Sequence, residues 1–251
     1  MWSRDISFTQ TADVQSELIP SVLFIRNLSD SRGSIIFMTT SLTKKSLTEG
    51  AVYLAARDND LARLLEADGV PPLWARKPCF STLIHIILEQ QVSLASAMAM
   101  YRRLVDNLVP FTPNRFLEVG SSYLRSLGVT RQKAAYCINV AEAILVDQLD
   151  LKAVSRMDDL AAVDTLTRIK GIGPWTADIY LLMALRRPDV WPSGDIALTN
   201  TVRKVKELHK YPSPSTLSRV AEAWRPFRSV AARMLWHHYL SDKTQGVSQA
   251  R

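Results

Sequence analysis

The chain has 251 residues, of which 47% are hydrophobic, and it is long enough for one large or two modest domains with a sizeable core. Its mean hydropathy of −0.01, and the lack of any apolar run near the roughly 18 residues of a membrane span, predict a soluble protein with no membrane partner. The formal net charge of +7 favours a polyanionic partner, whereas two cysteines, Cys79 and Cys137, are too few for a four-thiolate iron–sulfur cluster.

Residues 1–45 show no sustained hydrophobic period, and we predict a weakly ordered N-terminal extension in which Met38 is an alternative start. They resemble neither a signal peptide nor a transit peptide, so we expect a cytoplasmic protein in a bacterium or a nuclear one in a eukaryote. Residues 46–245 are predicted to form one all-helical domain.

Apolar residues recur at helical spacing through this domain, and no run alternates with period two. The punctuation supports helices: Thr112-Pro113 opens one, Gly128 ends another and Thr130 caps the next. The fold class is therefore predicted to be all-α, with about ten helices joined by short turns. They are predicted at about 51–67, 79–90, 93–109, 113–118, 121–127, 130–146, 158–168, 175–186, 195–208, 215–223 and 228–240.

The segment LTRIKGIGPWTAD, residues 166–178, interrupts this pattern with two glycines and a proline. Gly171 and Gly173 allow positive φ angles and close backbone approach in a tight reversal, and Pro174 suits the first position of the next helix. The free amides would then converge at a helix N-terminus and form a site for a DNA phosphate. A purely structural turn is the alternative. A dinucleotide site is excluded, because the preceding strand and a third glycine are missing.

The excess of basic residues lies near the C-terminus. Between residues 200 and 240, eight basic residues stand against Glu207 and Glu222. Such a stretch is typical of nucleic-acid binding, although a solvated helix surface has the same composition. The eight are Arg203, Lys204, Lys206, Lys210, Arg219, Arg225, Arg228 and Arg233.

The pattern L-x-x-I-x-G-I-G-x-x-T-A, which starts at Leu166, resembles the helix-hairpin-helix motif of the DNA glycosylase superfamily. The resemblance implies two helical subdomains with a cleft between them and a helix-hairpin-helix at about residues 158–186. It also implies an aspartate about two dozen residues after the hairpin, and Asp195 in WPSGDIAL meets this requirement. Taken alone, Asp195 would be read as a helix cap.

A carboxylate suits the chemistry of such an enzyme, because hydrolysis of an N-glycosidic bond passes through a sugar with oxocarbenium character. An anion beside C1′ stabilises that charge and orients or deprotonates the attacking water. An alkylated purine leaves as a neutral base and needs little help from a general acid. The resemblance therefore makes Asp195 the candidate catalytic residue.

Residues 71–240 resemble the alkylpurine (3-methyladenine) DNA glycosylase II family in particular, through stretches such as IHIILEQQVS, the hairpin, WPSGDIAL and AEAWRPFRSVAARMLWHHYL. Trp175 stands where strand-cleaving branches have a Schiff-base lysine, which implies a monofunctional enzyme without lyase activity. Trp175 and Phe227 match base-pocket positions, whereas Trp74, Trp224 and Trp236 fit core packing better. Core packing is the alternative role of Trp175 and Phe227.

The resemblance implies further contacts with double-stranded DNA. Gln91 stands where the family inserts a side chain into the duplex; bonding to nearby backbone is its alternative role. Glu89 occupies a position where relatives often have a small residue, and Ile179 one where some have an aromatic ring. The implied DNA-binding residues are Gln91, Lys170, Gly171, Ile172, Gly173, Trp175 and Thr176. An alkali cation on hairpin carbonyls is the only metal that the resemblance implies.

From these features we expect a monomeric, monofunctional DNA glycosylase that flips out alkylated purines, 3-methyladenine above all, and hydrolyses the N-glycosidic bond in base excision repair. One alternative is a glycosylase of the same fold that acts on deaminated or oxidised bases. The other is a non-catalytic DNA-binding protein that keeps the hairpin.

Overall fold

The computed structural model describes residues 41–249, with side chains up to residue 242. This part of the chain is helical throughout and contains no strand, which confirms the predicted all-α class. Its helices are α1 (Lys44–Ala55), α2 (Asn59–Asp68), α3 (Phe80–Glu89), α4 (Leu94–Asn107), α5 (Pro113–Ser126), α6 (Arg131–Leu145), α7 (Leu151–Arg156), α8 (Asp159–Thr167), α9 (Pro174–Met183), α10 (Ile196–Val205), α11 (Pro214–Glu222) and α12 (Arg228–Gln249). None of these helices is long and apolar enough to cross a membrane.

The helical domain begins earlier than predicted. The Ser41 hydroxyl donates a hydrogen bond to the Leu185 carbonyl, and the Leu42 N–H donates to that of Arg186. Leu42 is buried, and α1 starts two residues after it. Residues 41–45 therefore belong to the folded unit. The rest of the predicted extension, including Met38, lies outside the described residues.

Some predicted boundaries are wrong for local reasons. The single helix predicted at 51–67 is two helices, because Asp58 caps α2 by accepting hydrogen bonds from the N–H groups of Asp60 and Leu61. The two helices predicted at 113–118 and 121–127 join into α5, with Gly120 at a φ of 69° at the predicted break. The short helix α7 was not predicted. Thr112 and Thr130 cap α5 and α6 as expected.

Two groups of buried side chains form the cores of two subdomains. The first core, made mainly by α3 to α9, runs from Phe80 to Val190. The second is built from α1, α2 and α10 to α12, and it takes Leu182 from α9. Met183 and Trp236 pack against both cores. These two cores confirm the expected pair of helical subdomains, and α9 lies where they meet.

A buried arginine fastens this junction. The Arg233 guanidinium of α12 donates hydrogen bonds to the carbonyls of Leu182 (2.7 Å), Leu73 (3.0 Å) and Ser229 (3.0 Å). Its burial lowers the pKa of Arg233 to about 9, which still leaves it protonated at neutral pH. Because the planar guanidinium directs several donors at once, one side chain joins α9, α12 and the segment before α3.

The hairpin that joins α8 to α9 packs against α6. Ile169 and Ile172 are buried, and the Asn139 amide donates to the Lys170 carbonyl at 3.1 Å. Gly171 has a φ of 110°, and a Cβ there would lie 2.5 Å from the Tyr136 side chain. Gly171 is thus required twice, by its backbone angle and by the close approach of α6.

Gly173 differs from the prediction. Its φ of −89° is accessible to any residue, so this glycine does not provide a positive φ angle. It is the N-cap of α9, and nothing lies within 4 Å of where its Cβ would be. The space in front of Gly173 is therefore open.

These two glycines should respond differently to alanine. We expect Gly171→Ala to lower the free energy of unfolding by about 3 kcal/mol, because left-handed strain adds to overpacking against Tyr136. Gly173→Ala should cost less than about 1 kcal/mol, since its geometry suits alanine and only a poorer N-cap results. Urea unfolding of both variants measures the difference. Equal losses would contradict the proposed packing of Gly171.

Candidate active site

Asp195 is the N-cap of α10, and its carboxylate is bound by three donors. The Leu198 N–H donates to Oδ1 at 2.9 Å, which is the expected capping bond. The indole N–H of Trp175 donates to Oδ2 at 3.0 Å, and that of Trp236 donates to Oδ1 at 3.3 Å. Asp195 thus caps a helix and is also the centre of a cluster with two tryptophans. The positive end of α10 further stabilises the anion.

Trp236 is the residue that sequence reasoning missed. Its predicted place is in the core, and it does pack against both cores, yet it is only partly buried and its indole N–H reaches Asp195. It lies 41 positions from Asp195, on a helix that mixes apolar residues with Arg, His and Ser. No local pattern distinguishes it from the other core tryptophans. By contrast, Trp224 is 1% exposed and is a core residue, as predicted.

The N-terminus of α9 is open. Gly173 has no side chain with which to cap the helix, whereas most other helices are capped by Asp, Ser or Thr. The first N–H groups of α9 are therefore free of a side-chain cap, beside the open space at Gly173. A helix N-terminus of this kind attracts a phosphate.

The predicted hairpin residues do not all face outwards. The Lys170 side chain and Gly173 are exposed, and Trp175 is partly buried. Ile172 and Thr176 are buried at 3% and 2% exposure, so they can offer a ligand only their backbone. The Thr176 hydroxyl accepts a hydrogen bond from the Gln90 amide at 2.9 Å. The Thr176 side chain thus faces the hairpin, and a contact of this residue with DNA would be made by its backbone.

Gln90 joins the end of α3 to the hairpin. Its amide donates to the Gly171 carbonyl at 3.0 Å as well as to Thr176. The next residue, Gln91, is exposed and has a φ of 54°. The alternative role of Gln91, a bond to nearby backbone, belongs instead to Gln90. The sequence shows two adjacent glutamines, and only the packing of α3 against α9 separates their roles.

The large residue at position 89 is accommodated by an ion pair. Arg76 donates to both carboxylate oxygens of Glu89, at 2.7 and 3.0 Å, and both side chains are largely buried. His85, one turn earlier, lies 3.5 Å from the same carboxylate. Glu89 therefore neutralises Arg76 at the end of α3.

Phe227 is placed apart from the other predicted pocket residue. Its ring contacts Tyr53 of α1 at a centroid distance of 5.2 Å and lies close to Gly50. These contacts belong to the edge of the second core. The structure brings Trp175, Asp195 and Trp236 together, and the contacts of Phe227 do not join it to them.

Most of the basic residues between 200 and 240 serve the fold. Arg233 is buried, Lys206 is paired with Asp58 and Asp60, and Lys204 is paired with Asp242. Arg225 and Arg228 both bind Asp189. Arg203, Lys210 and Arg219 are exposed, and so are the paired Lys204 and Arg225. The expected basic face is therefore smaller than the composition suggests, because several of its basic residues are paired with acidic residues distant in sequence.

The carbonyl oxygens of the hairpin are the expected ligands of the alkali cation that the resemblance implies. Those of Ile169, Lys170 and Gly171 already accept hydrogen bonds, from the Ile172 N–H, Asn139 and Gln90. Each of these carbonyl oxygens keeps a second lone pair, so the alkali cation stays a prediction. Within residues 41–242, no group of three or more His, Cys, Asp and Glu side chains could hold a metal ion.

Comparison with known proteins identifies the family of this chain. Residues 84–226 match the family described as HhH-GPD superfamily base excision DNA repair protein, a range that contains Gln91, the hairpin and Asp195. The chain belongs to the HhH-GPD superfamily. Since the match covers more than half of the chain, the family resemblance drawn from the hairpin is confirmed.

Among its relatives in the superfamily is DNA-3-methyladenine glycosylase 1 of Schizosaccharomyces pombe, 29% identical over 210 residues that cover 80% of this chain and 92% of that protein. The structure of an S. pombe 3-methyladenine DNA glycosylase in complex with abasic DNA superposes with a TM-score of 0.68 at 26% identity, over 75% of this chain and 95% of that one. A Bacillus halodurans DNA-3-methyladenine glycosidase gives 0.65 at 30% identity, over 76% and 88%.

The bond between Trp236 and Asp195 can be measured by a double-mutant cycle. We expect Trp236→Phe to lower the free energy of unfolding in the wild-type background by about 1 kcal/mol more than in an Asp195→Asn background, because the phenyl ring lacks the N–H donor to a charged acceptor. Urea unfolding of the four proteins gives the coupling energy. Trp74→Phe is the matched control, with no coupling expected. A coupling near zero for Trp236 would contradict the bond.

Proposed function

We propose that this protein is a monofunctional DNA glycosylase that removes alkylated purines, 3-methyladenine above all, from double-stranded DNA in base excision repair. The observation that carries the proposal is the Asp195 carboxylate, held by Trp175 and Trp236 directly beside a helix-hairpin-helix. The relatives named 3-methyladenine glycosylases support the substrate class. The protein would act as a monomer in the compartment that holds the chromosome.

The hairpin is the proposed anchor for the DNA backbone. The open N-terminus of α9 would bind one phosphate, and Gly173 leaves room for the backbone to approach closely. The exposed Lys170 adds a positive charge beside this point. Because such contacts release counterions, binding should weaken as the salt concentration rises. With few free cations on α10 to α12, the hairpin would supply much of this binding.

Gln91 is the proposed wedge. It is exposed, it has a left-handed backbone, and it directly follows Gln90, which is fixed to the hairpin. Val92 and Leu94 next to it are 40% and 56% exposed, so apolar surface flanks the wedge. Inserted side chains fill the gap of a flipped nucleotide and offset part of the unstacking cost of a few kcal/mol.

Trp175 is the proposed stacking surface for the flipped base. A cationic alkylated purine would gain a cation–π attraction of about 1–2 kcal/mol from an electron-rich indole in a desolvated site. Trp236 lies across the same carboxylate, and we add it to the pocket that the resemblance assigned to Trp175 and Phe227. The contacts of Phe227 with α1 support a place at the rim at most.

Asp195 would perform the chemistry. Its carboxylate has about four lone-pair positions, and three of them accept the bonds from Leu198, Trp175 and Trp236. The remaining position would face C1′ or the attacking water. As the bond between C1′ and the base nitrogen breaks, its electron pair leaves with the base, and the sugar becomes cationic. The anion stabilises this charge, and water then adds to C1′ as its proton passes to Asp195 or solvent.

Asp195→Asn tests the proposal. We expect the release of 3-methyladenine from methylated DNA to fall by about 10²–10³ or more, because the amide carries no charge to stabilise the sugar cation. Chromatography of released bases under single-turnover conditions measures the rate, and fluorescence anisotropy confirms that DNA is still bound. Asp164→Asn, on the exposed face of α8, is the matched control. Equal release by wild type and Asp195→Asn would overturn the assignment of Asp195.

Because Trp175 stands where strand-cleaving relatives have a lysine, we predict that no covalent intermediate forms between the enzyme and DNA. A strand-cleaving enzyme forms a Schiff base between a lysine and C1′, and borohydride reduces it to a stable adduct. We expect no adduct between this protein and DNA that contains alkylated bases, while base release proceeds. A borohydride-dependent band on a denaturing gel would contradict the monofunctional mechanism, and Lys170→Ala would then show whether Lys170 forms it.

A further inference from the structure

Helix α9 touches the turn that carries Asp195 at two points. Trp175 bonds to the Asp195 side chain, and one helical turn later Asp178 accepts a hydrogen bond from the Ser193 N–H, with 3.4 Å between that nitrogen and Oδ2. Residues three apart on a helix lie on the same face. The same face of α9 therefore binds both ends of the turn formed by residues 193–195.

The turn between these two points has few other restraints. Ser193 and Gly194 are exposed, and Gly194 has a φ of 81° with nothing within 4 Å of where its Cβ would be. Within the turn, the Asp195 N–H donates to the Pro192 carbonyl at 3.3 Å. Because glycine allows the backbone to rotate freely, the contact with Asp178 limits where Ser193, and hence the backbone before Asp195, can lie.

The surroundings of Asp178 oppose its charge. The pKa of Asp178 is raised to about 7, mainly by burial and to a smaller extent by the nearby Asp159 of α8. The Ser193 N–H and Arg228 at the start of α12 lower this pKa, but the Arg228 guanidinium is itself bound to Asp189. Asp178 is thus a half-buried carboxyl group that gains or loses its proton near neutral pH.

We propose that Asp178 is a positioning residue for the reaction: through the Ser193 N–H, it holds the turn that presents Asp195. This inference rests on the proposed glycosylase function. Asp178 does not touch the reacting atoms; it acts through the backbone of residues 193–195. Its contact is with the main chain, so the aspartate at 178 acts independently of the Ser193 side chain.

The strength of the hydrogen bond between the Ser193 N–H and Asp178 depends on whether the Asp178 carboxyl group is protonated. A carboxylate accepts an N–H bond about twice as strongly as a neutral carboxyl group does. The turn is therefore held firmly above pH 7, where Asp178 is ionised, and more loosely below it. The effect of Asp178 on the free energy of unfolding runs the other way. Because its pKa is raised in the folded state, its contribution to stability falls as the pH rises from 3.8, the ordinary pKa of an aspartate, to about 7.

The first test measures the pH profile of base release. In single-turnover reactions with saturating methylated DNA, we expect the wild-type rate to rise about fivefold between pH 6 and pH 8, from the stronger charged hydrogen bond. Asp178→Asn, a neutral isostere, should remove this rise and stay near the low-pH rate. Asp164→Asn on the exposed surface of α8 is the control and should keep the wild-type profile. An unchanged rise in Asp178→Asn would overturn the proposal.

The second test does not depend on catalysis. In the full-length wild-type protein, the amide resonances of Ser193 and Gly194 should titrate with a midpoint near pH 7, and amide exchange at these residues should slow, relative to the exchange of α5 amides, above that midpoint. Asp178→Asn should abolish both effects. Their persistence in Asp178→Asn, or their absence in the wild type, would refute the hold on the turn even if no base were released. Loss of base release with an intact titration would instead refute the proposed function alone.

Discussion

The carboxylate of Asp195 depends on donors from three helices. Leu198 lies in α10, the helix that Asp195 caps, Trp175 lies in α9 and Trp236 in α12. Because α9 belongs mainly to the first core and α12 to the second, the three bonds form together only when the two cores have met. In a partly buried site such bonds are strong, and a missing donor is costly. The proposed chemistry therefore depends on how the two subdomains pack.

Helix α9 links the DNA-binding and catalytic parts of the site. Its open N-terminus forms the proposed phosphate site, and its first two turns carry Trp175 and Asp178, which bind the turn before α10. The hairpin itself is held from behind by α6 and from the side by Gln90 of α3. A backbone phosphate bound at the hairpin would therefore stand in a fixed relation to Asp195. This rigidity suits a site that needs preorganised charge.

Much of the fold and part of the site could be predicted from local sequence signals. Thr112, Thr130 and the Gly-Pro pair of the hairpin mark helix ends, because capping and φ preferences act within a few residues. Asp195 could be found because the family resemblance implies an aspartate about two dozen residues after the hairpin. The split between α1 and α2 was missed, since an Asp58 cap inside an apolar pattern looks like a surface residue. Charge was misleading for a similar reason: Lys206, Arg225 and Arg228 are paired with acidic residues distant in the chain.

The sequence by itself determined the all-α class and the hairpin, because each depends on residue types within a short segment, and the candidate carboxylate followed from the family resemblance that the hairpin carries. Only the tertiary structure decided that Trp236 joins Trp175 at Asp195, and that Gln90 rather than Gln91 holds the hairpin. The two indoles lie 41 and 20 positions from Asp195, and long-range packing alone brings them to it. The hairpin motif thus indicated a site for DNA, while the packing of the two cores decided how the carboxylate beside it is held.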